Sequence, residues 1–372
     1  MALVIEPFRE EHENAVTEFN QRLQAGGAAS DLVFFRRATP EWLPPLAGSG
    51  LFSEYFVAHS AGVVRGAYAL KHQDFHFEDG TVQSVAYYHH PLSEGIINKA
   101  YSSLGVMLLR DAMARAPRLY CLGMGGYDRP LPQMLINLGW KHCPVPFYFK
   151  IVHAGRFLRE MQTLRTSSAR RFLMDVAAST GIGWMGLRIH EAMKTRRGSR
   201  EAVEVHQVEQ LSNETDALWQ EAKAQYAFIA VRDGNVLQRL YPAECGHLTK
   251  LQIRRAGRLI GWAVVGERRK DVKYGNMRVG SVVDCWAVPE GTLAVIRAAT
   301  DALVSSGMDL IVSNQLHGMW QRAFEGCGYM QGPSNFLFAV NKELSARLQP
   351  FEEKKSRIHM TRADGDGLPR NY

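Results

Sequence analysis

The sequence lacks any stretch near the ~18 consecutive apolar residues that a membrane-spanning helix requires. Its start, MALVIEPFREEHENAV, meets acidic residues where a secretory signal would keep an apolar core. A cytoplasmic protein is expected. The five cysteines (Cys121, Cys143, Cys245, Cys285, Cys327) are scattered, odd in number and never arranged as Cys-x-x-Cys, which argues against a disulfide framework and a structural zinc site. P-loop, dinucleotide-fingerprint and Ser-His-Asp motifs are also missing. The rest is ordinary: with 46% hydrophobic and 22% charged residues, collagen-like and disordered chains are excluded. At the usual ~100 to 200 residues per domain, 372 residues make two domains most simply.

The formal net charge of +7 is concentrated. Residues 1–150 sum to −1, 151–200 to +7 and 201–372 to +1. The middle segment joins arginine clusters to apolar residues (Phe172, Leu173, Val176, Ile182, Trp184) and to Gly181, Gly183 and Gly186, and reads as a basic helical connector over 153–202. Basic residues beside an apolar helix face suit an anionic membrane surface, so peripheral contact through residues 156–200 with the inner face of a membrane is one reading. The glycines and the need for a linker favour a connector packed between domains. No basic stripe interleaved with aromatics lies elsewhere, so no DNA partner is expected.

Two halves follow one plan. In the first, YFVAHSAGVVRGAYALKHQDFHF and TVQSVAYYHHP read as two antiparallel strands joined at Glu78-Asp79-Gly80, a strong hairpin signal. After Ser102 and Ser103, plausible caps, Leu104, Met107, Leu108 and Ala112 have helical spacing. A strand at Leu119–Leu122, a helix ending in Gly139-Trp140 and the strand PVPFYFKIV complete the half. The second half runs HLTKLQIRR, an Ala256-Gly257 turn, RLIGWAVVGE, SVVDCWAV, a helix from Thr292 closed by Gly307, MDLIVSN, a helix ending in Gly328-Tyr329, and NFLFAV. The last helices share a spacing, Asp128-x-x-Leu131-x-x-x-Leu135-x-x-x-Gly139-Trp140 against His317-x-x-Trp320-x-x-x-Phe324-x-x-x-Gly328-Tyr329, which indicates an internal duplication. The strands on either side of each first helix form a parallel pair across a helical crossover. The fold class is therefore α/β (α+β): two mixed sheets flanked by helices, over 1–152 and 203–345, with a mobile polar tail at 346–372.

This order, twice over, resembles the GCN5-related N-acetyltransferase (GNAT) superfamily, across residues 4–152 and 203–341. In that family a Gln/Arg-x-x-Gly-x-Gly/Ala turn opens a helix whose exposed amides hold the pyrophosphate of coenzyme A. The matching stretch here is Ala100-Tyr101-Ser102-Ser103-Leu104-Gly105, with the last glycine kept, serine at the first, and Lys99 beside it to supply charge. The second half offers Pro289-Glu290-Gly291-Thr292 and one glycine. The tyrosine acid of many such enzymes falls on Leu135 and Phe324, so that group is missing. The tandem arrangement with a basic insertion is also similar to Fem-type aminoacyltransferases, relatives of which accompany cell-envelope or exopolysaccharide synthesis; that likeness is one of architecture.

The resemblance implies transfer of an acyl group, acetyl from acetyl-CoA, to an amine of a sugar, amino acid or envelope precursor. The alternatives are aminoacyl transfer from charged transfer RNA, or a noncatalytic binding protein on the same fold. Such chemistry needs a deprotonated amine, a polarised carbonyl and room for the leaving thiolate. Glu94, just past the strand and beside Tyr88, His89 and His90, is a candidate base; it would equally suit a helix N-terminus. His89 and His90 should point to opposite faces, so one of them at most meets the groove. Asp284 stands in an otherwise apolar strand, and His317 ends the next one, making both candidate catalytic groups. Lys99, Tyr101, Ser102, Ser103, Leu104 and Gly105 are expected at the coenzyme. Tyr88, His90, Tyr127, Asn314, Gln315 and Trp320 are expected at the acceptor, although Asn314 and Gln315 also suit a loop or cap. His72, Asp74, His76 and Glu78 share a strand face but are collinear, whereas zinc wants ligands that converge; no metal is expected.

Overall fold

The computed structural model describes residues 3–161, 202–211, 213–268 and 272–365. Most of the basic connector expected at 153–202, and of the stretch 156–200 for which membrane contact is one reading, lies outside the described residues. Two compact units are present: Met1–Cys143 with Leu337–Glu352, and Pro144–Phe336 with Glu353–Tyr372. Among the described residues no helix is long and apolar enough to cross a membrane.

The first unit contains, in chain order, β1 (Val4–Pro7), α1 (Glu13–Ala25), β2 (Phe52–Ser60), β3 (Val63–Phe77), β4 (Val82–Ser93), α2 (Leu104–Arg115), β5 (Leu119–Gly123), α3 (Pro130–Asn137) and β6 (Lys141–Pro144). The long first strand-like run is two strands, because Ala61 and Gly62 both take positive φ (50° and 78°) and turn the chain back. Alternation sends side chains to two helical layers. Val16, Phe19 and Leu23 of α1 pack on Tyr55, Val57, Val64 and Ala67. Leu104, Leu108 and Ala112 of α2, with Leu135 of α3, pack on the opposite face against Phe56, Tyr68, Ala86 and Tyr88.

The second unit opens with β7 (Phe147–Ile151) and α4 (Ala154–Glu160). It continues through β8 (Glu204–Val208), α5 (Glu214–Ala222), β9 (Phe228–Ala230), α6 (Gly234–Leu240), β10 (Leu248–Arg255), β11 (Arg258–Glu267), β12 (Val279–Ala287), α7 (Thr292–Ser305), β13 (Leu310–Asn314), α8 (Gly318–Gly326) and β14 (Met330–Gly332). Last come β15 (Leu337–Val340) and α9 (Lys342–Arg347), both in the first unit. The β10–β11 turn falls at Ala256-Gly257 as the sequence indicates, again with two positive φ angles. Gly139 and Gly328 close α3 and α8 in the left-handed region (φ 78° and 80°), where a side chain is unfavourable. The Trp140 and Tyr329 that follow are both buried.

The sheets run β1-β2-β3-β4-β5-β15-β6 and β14-β7-β13-β12-β11-β10-β8. Each therefore has the same order with one strand exchanged: β15 pairs antiparallel with β5, and β7 with β13. PVPFYFKIV and NFLFAV each complete the sheet of the other half.

The segment from 346 onward, expected to be mobile, is packed as far as Gly365. Leu348, Phe351, Ile358 and Met360 are each at most 3% exposed, which outweighs the polar composition around them. The exchange predicts that fragments 1–202 and 203–372, expressed separately, aggregate through bare edges at β5 and β13, and recover a soluble heterodimer when co-expressed. A monomeric, cooperatively unfolding 1–202 fragment, seen by sedimentation and urea titration, would contradict it.

Candidate active site

In both units the two parallel strands part. β4 and β5 pair at Ala86↔Leu119 and Tyr87↔Tyr120 and no further, although β4 continues to Ser93 and β5 to Gly123. β12 and β13 pair over Val279–Ser281 and Leu310–Val312, and then separate in the same way. Beyond each parting, edge-facing main-chain groups lose their ladder partners and need others.

At the first parting the Tyr87 hydroxyl donates to the Leu122 carbonyl at 2.9 Å and so satisfies one such acceptor. β4 is then bulged opposite Ala67–Ala69, with His90 in the left-handed region at φ 49°. The bulge breaks strand alternation and brings the two Nδ1 atoms of His89 and His90 to 2.9 Å, correcting the expectation that they face apart. Two ring nitrogens at that distance share one proton, one donating and the other accepting. His90 is half-buried and Tyr127 is exposed, whereas Tyr88 is buried in the cluster that holds Leu104, Leu108 and Tyr68.

The helix that follows opens toward solvent. The Val106 and Met107 amides donate to the Ser103 carbonyl (3.1 and 3.2 Å), which leaves the amides before them at the start of α2 outside the helical ladder; Ser102 and Ser103 are exposed, and a Cβ at Gly105 would meet nothing within 4 Å. Lys99 is exposed on the preceding turn, and Arg65 lies over the Tyr101 ring at 5.0 Å. Free amides, the positive helix end and nearby cations fit a diphosphate. Leu104, by contrast, contributes its amide alone, since its side chain is core. The N-terminus of α7 is different: Gly291 and Thr292 are buried, and a Cβ at Gly291 would lie 2.9 Å from the Ile260 carbonyl.

Glu94 is poorly suited to the base role assigned from sequence. Its carboxylate is 6% exposed and takes Arg65 Nη1 on both oxygens (3.0 and 2.8 Å) and Arg22 Nε at 3.3 Å. Both carboxylate oxygens are thus already engaged by guanidiniums.

The second parting is filled by the chain itself. The Ser313 hydroxyl donates to the Val282 carbonyl at 3.0 Å. The segment His359–Asp364 then bonds to both sides: Leu316 N donates to the Met360 carbonyl, Gln315 Nε2 lies 3.4 Å from His359 Nε2, and the Thr361 hydroxyl reaches Asp284 at 3.5 Å. Asp284 also accepts from Arg232 Nε (2.8 Å) and the Tyr241 hydroxyl (2.9 Å), while Arg232 Nη2 reaches Asp364 at 2.6 Å. Burial pushes the Asp284 carboxyl above its ordinary range against the pull of Arg232. Burial also holds His317 down to about 4 and His359 to about 3, both neutral rings. His317 Nδ1 caps α8 by accepting the Met319 amide at 3.2 Å. Trp320 donates to the Tyr226 hydroxyl at 3.0 Å, inside the core.

The structure thus brings Asp284, Asn314, Gln315, His317 and Trp320 together, but none is more than 6% exposed. They form a buried polar network in place of a groove. Sequence reasoning missed its other members, Arg232, Tyr241, His359 and Asp364. One signal was available: an arginine directly after the apolar run FIAV must find a buried anion or break the run.

One group among the described residues has metal-ligand chemistry: Glu6, His12 and His59, with ligand atoms within 4.8 Å of one another. Glu6 already accepts from His59 Nε2 at 2.6 Å. His12 Nδ1 accepts the Arg9 amide at 3.1 Å, which keeps the ring proton on the nitrogen a metal would need. The strand-face residue His72 pairs with Glu54 at 2.8 Å.

No protein-family model matches the sequence, and no curated protein matches it. Among solved structures the chain is similar to Saccharomyces cerevisiae N-myristoyltransferase with bound myristoyl-CoA and inhibitors. The TM-score is 0.52 at 8% identity, over 91% of this chain and 79% of that one. A protein of Enterococcus faecalis V583 described as a probable N-acyltransferase gives 0.53 at 9% identity, over 94% and 75%. A tandem GNAT protein from the clavulanic acid biosynthesis pathway gives 0.48 at 11%, over 91% and 98%. At such identities the likeness is one of fold. The fold shared with the first two consists here of two mixed sheets flanked by helices, each with one parted parallel pair.

His317 gives the sealed network a pH signature. Its folded value of about 4 lies below the ordinary unfolded value of ~6.5, so the unfolded chain binds the extra proton between them. Its contribution is complete above pH ~6.5 and is lost as pH falls toward 4, by about 3 kcal/mol. His317→Asn keeps a capping oxygen and removes that titration. Urea unfolding read by tryptophan fluorescence should therefore show a shallower acid loss than wild type, and parallel curves would contradict the assignment.

Proposed function

We propose that this chain is an acyl-CoA-dependent N-acyltransferase that reacts in its first unit, while the second unit serves as a structural counterpart. The observation that carries the reading is the contrast between the helix starts: exposed Ser102 and Ser103 with open space beside Gly105, against the buried Gly291 and Thr292. The likeness in fold to an enzyme solved with myristoyl-CoA, and to a probable N-acyltransferase, supports it. Acetyl-CoA is the donor we propose, with an amine of a small molecule such as a sugar, amino acid or envelope precursor as acceptor.

An acyl-CoA supplies a thioester for the amine to attack. The α2 amides and Lys99 hold the diphosphate, and the parted β4 and β5 receive the extended arm that leads to the thioester. Main-chain donors freed past Tyr87 polarise the carbonyl, as an oxyanion site does. The His89–His90 pair takes the proton from the attacking amine, the new C–N bond forms as the C–S bond breaks, and coenzyme A leaves as the thiolate.

Isothermal titration with acetyl-CoA should give one site per chain. Gly105→Asp, which sets a carboxylate beside the free amides, should weaken binding about tenfold or more. His90→Ala should bind normally and turn over about a hundredfold more slowly, within the range of a lost general base. Two equal sites, or full binding by Gly105→Asp, would overturn the reading.

A further inference from the structure

Resting on the coenzyme reading of the first unit, we infer that Glu94 is a positioning residue: with Arg22, Arg65 and Gly95 it fixes the turn that aims the α2 amides at the coenzyme diphosphate. The turn between β4 and α2 spans residues 94–103, and the direction of the helix start is set by whatever holds that stretch.

Three elements hold it. Glu94 joins β3 through Arg65 and α1 through Arg22, and Arg22 Nη2 also donates to the Val64 carbonyl at 2.5 Å. The main-chain carbonyl of Glu94 accepts the amides of Ile97 (3.0 Å) and Asn98 (2.8 Å), and Ser93 Oγ accepts the Gly95 amide at 3.0 Å. The turn also fits without spare room. A Cβ at Gly95 would lie 2.5 Å from the Tyr101 carbonyl, and one at Gly26 would lie 2.7 Å from the Ile97 side chain. Moving Gly95 therefore moves Tyr101, two residues before the first free amide.

The charges agree with that role. Two guanidiniums share one carboxylate, which leaves an excess positive charge beside the helix start, and Arg65 covers the Tyr101 ring. Arg65 Nε is buried without a hydrogen-bond partner among the described residues. A base at this position would need a free oxygen lone pair facing the thioester, whereas a brace needs both oxygens engaged.

The two roles separate in kinetics. Glu94→Gln leaves two cations facing one another, and Gly95→Ala displaces the Tyr101 carbonyl without changing charge. Both should weaken acetyl-CoA in calorimetry by about tenfold and raise its KM in step. With coenzyme saturating, kcat and its pH profile should match wild type. Arg22→Gln, which keeps Arg65 on the carboxylate and removes only the more exposed arm of the brace, should weaken binding to a lesser degree and guards against a folding defect in the other two. A collapse of kcat with a lost pH limb in Glu94→Gln, and normal kcat in Gly95→Ala, would overturn positioning in favour of a base. Wild-type affinity in all three variants would overturn it with the coenzyme reading intact. Absence of binding by the wild-type chain would overturn both.

Discussion

The structure depends on a parallel pairing that stops early. In each unit the two strands flanking the crossover helix share two or three registered positions and then part, although both continue. Parting strips main-chain donors and acceptors of their ladder partners, and buried groups of that kind each cost about 1–3 kcal/mol if left unmet. The rest of each unit can be read as an answer to that demand.

The two answers differ. In the second unit the chain meets it with its own groups: Ser313 on the Val282 carbonyl, and a C-terminal segment tied by Arg232 between two carboxylates. Burying one arginine with two aspartates demands close geometry, since desolvation of ions costs several kcal/mol each and is offset when every partner is engaged. Tyr241 and Thr361 complete that engagement. In the first unit the helix start beside the parting faces solvent, and the turn before it is braced from two sides. A protein of this duplicated form can thus keep one lobe adapted to a ligand and use the other as a fixed counterpart.

Much of this was legible in the sequence, and the limits have physical causes. Strand order, the Ala256-Gly257 turn and the closing glycines of α3 and α8 are local, set by a few residues with particular backbone needs. Exchange of β7 and β15 was not legible, because FYFKI and LFAV carry the same kind of side chains and would complete either sheet. The relation of His89 to His90 was hidden by a bulge that alternation cannot foresee. The sealing of the second parting was hidden by distance, since Arg232 meets an aspartate 132 residues away in a tail that reads as polar. Glu94 directly follows β4, but its chemistry is set by Arg22 and Arg65, on elements that sequence alone does not bring together.

The central claim is that the first parting receives a ligand and the second is filled by the chain's own C-terminal segment. Hydrogen–deuterium exchange with and without coenzyme A tests it most directly. The account predicts new protection confined to residues 88–93 and 99–107, with 279–291 and 310–318 unchanged. Protection that appears in the second pair of segments, or in both pairs alike, would contradict it.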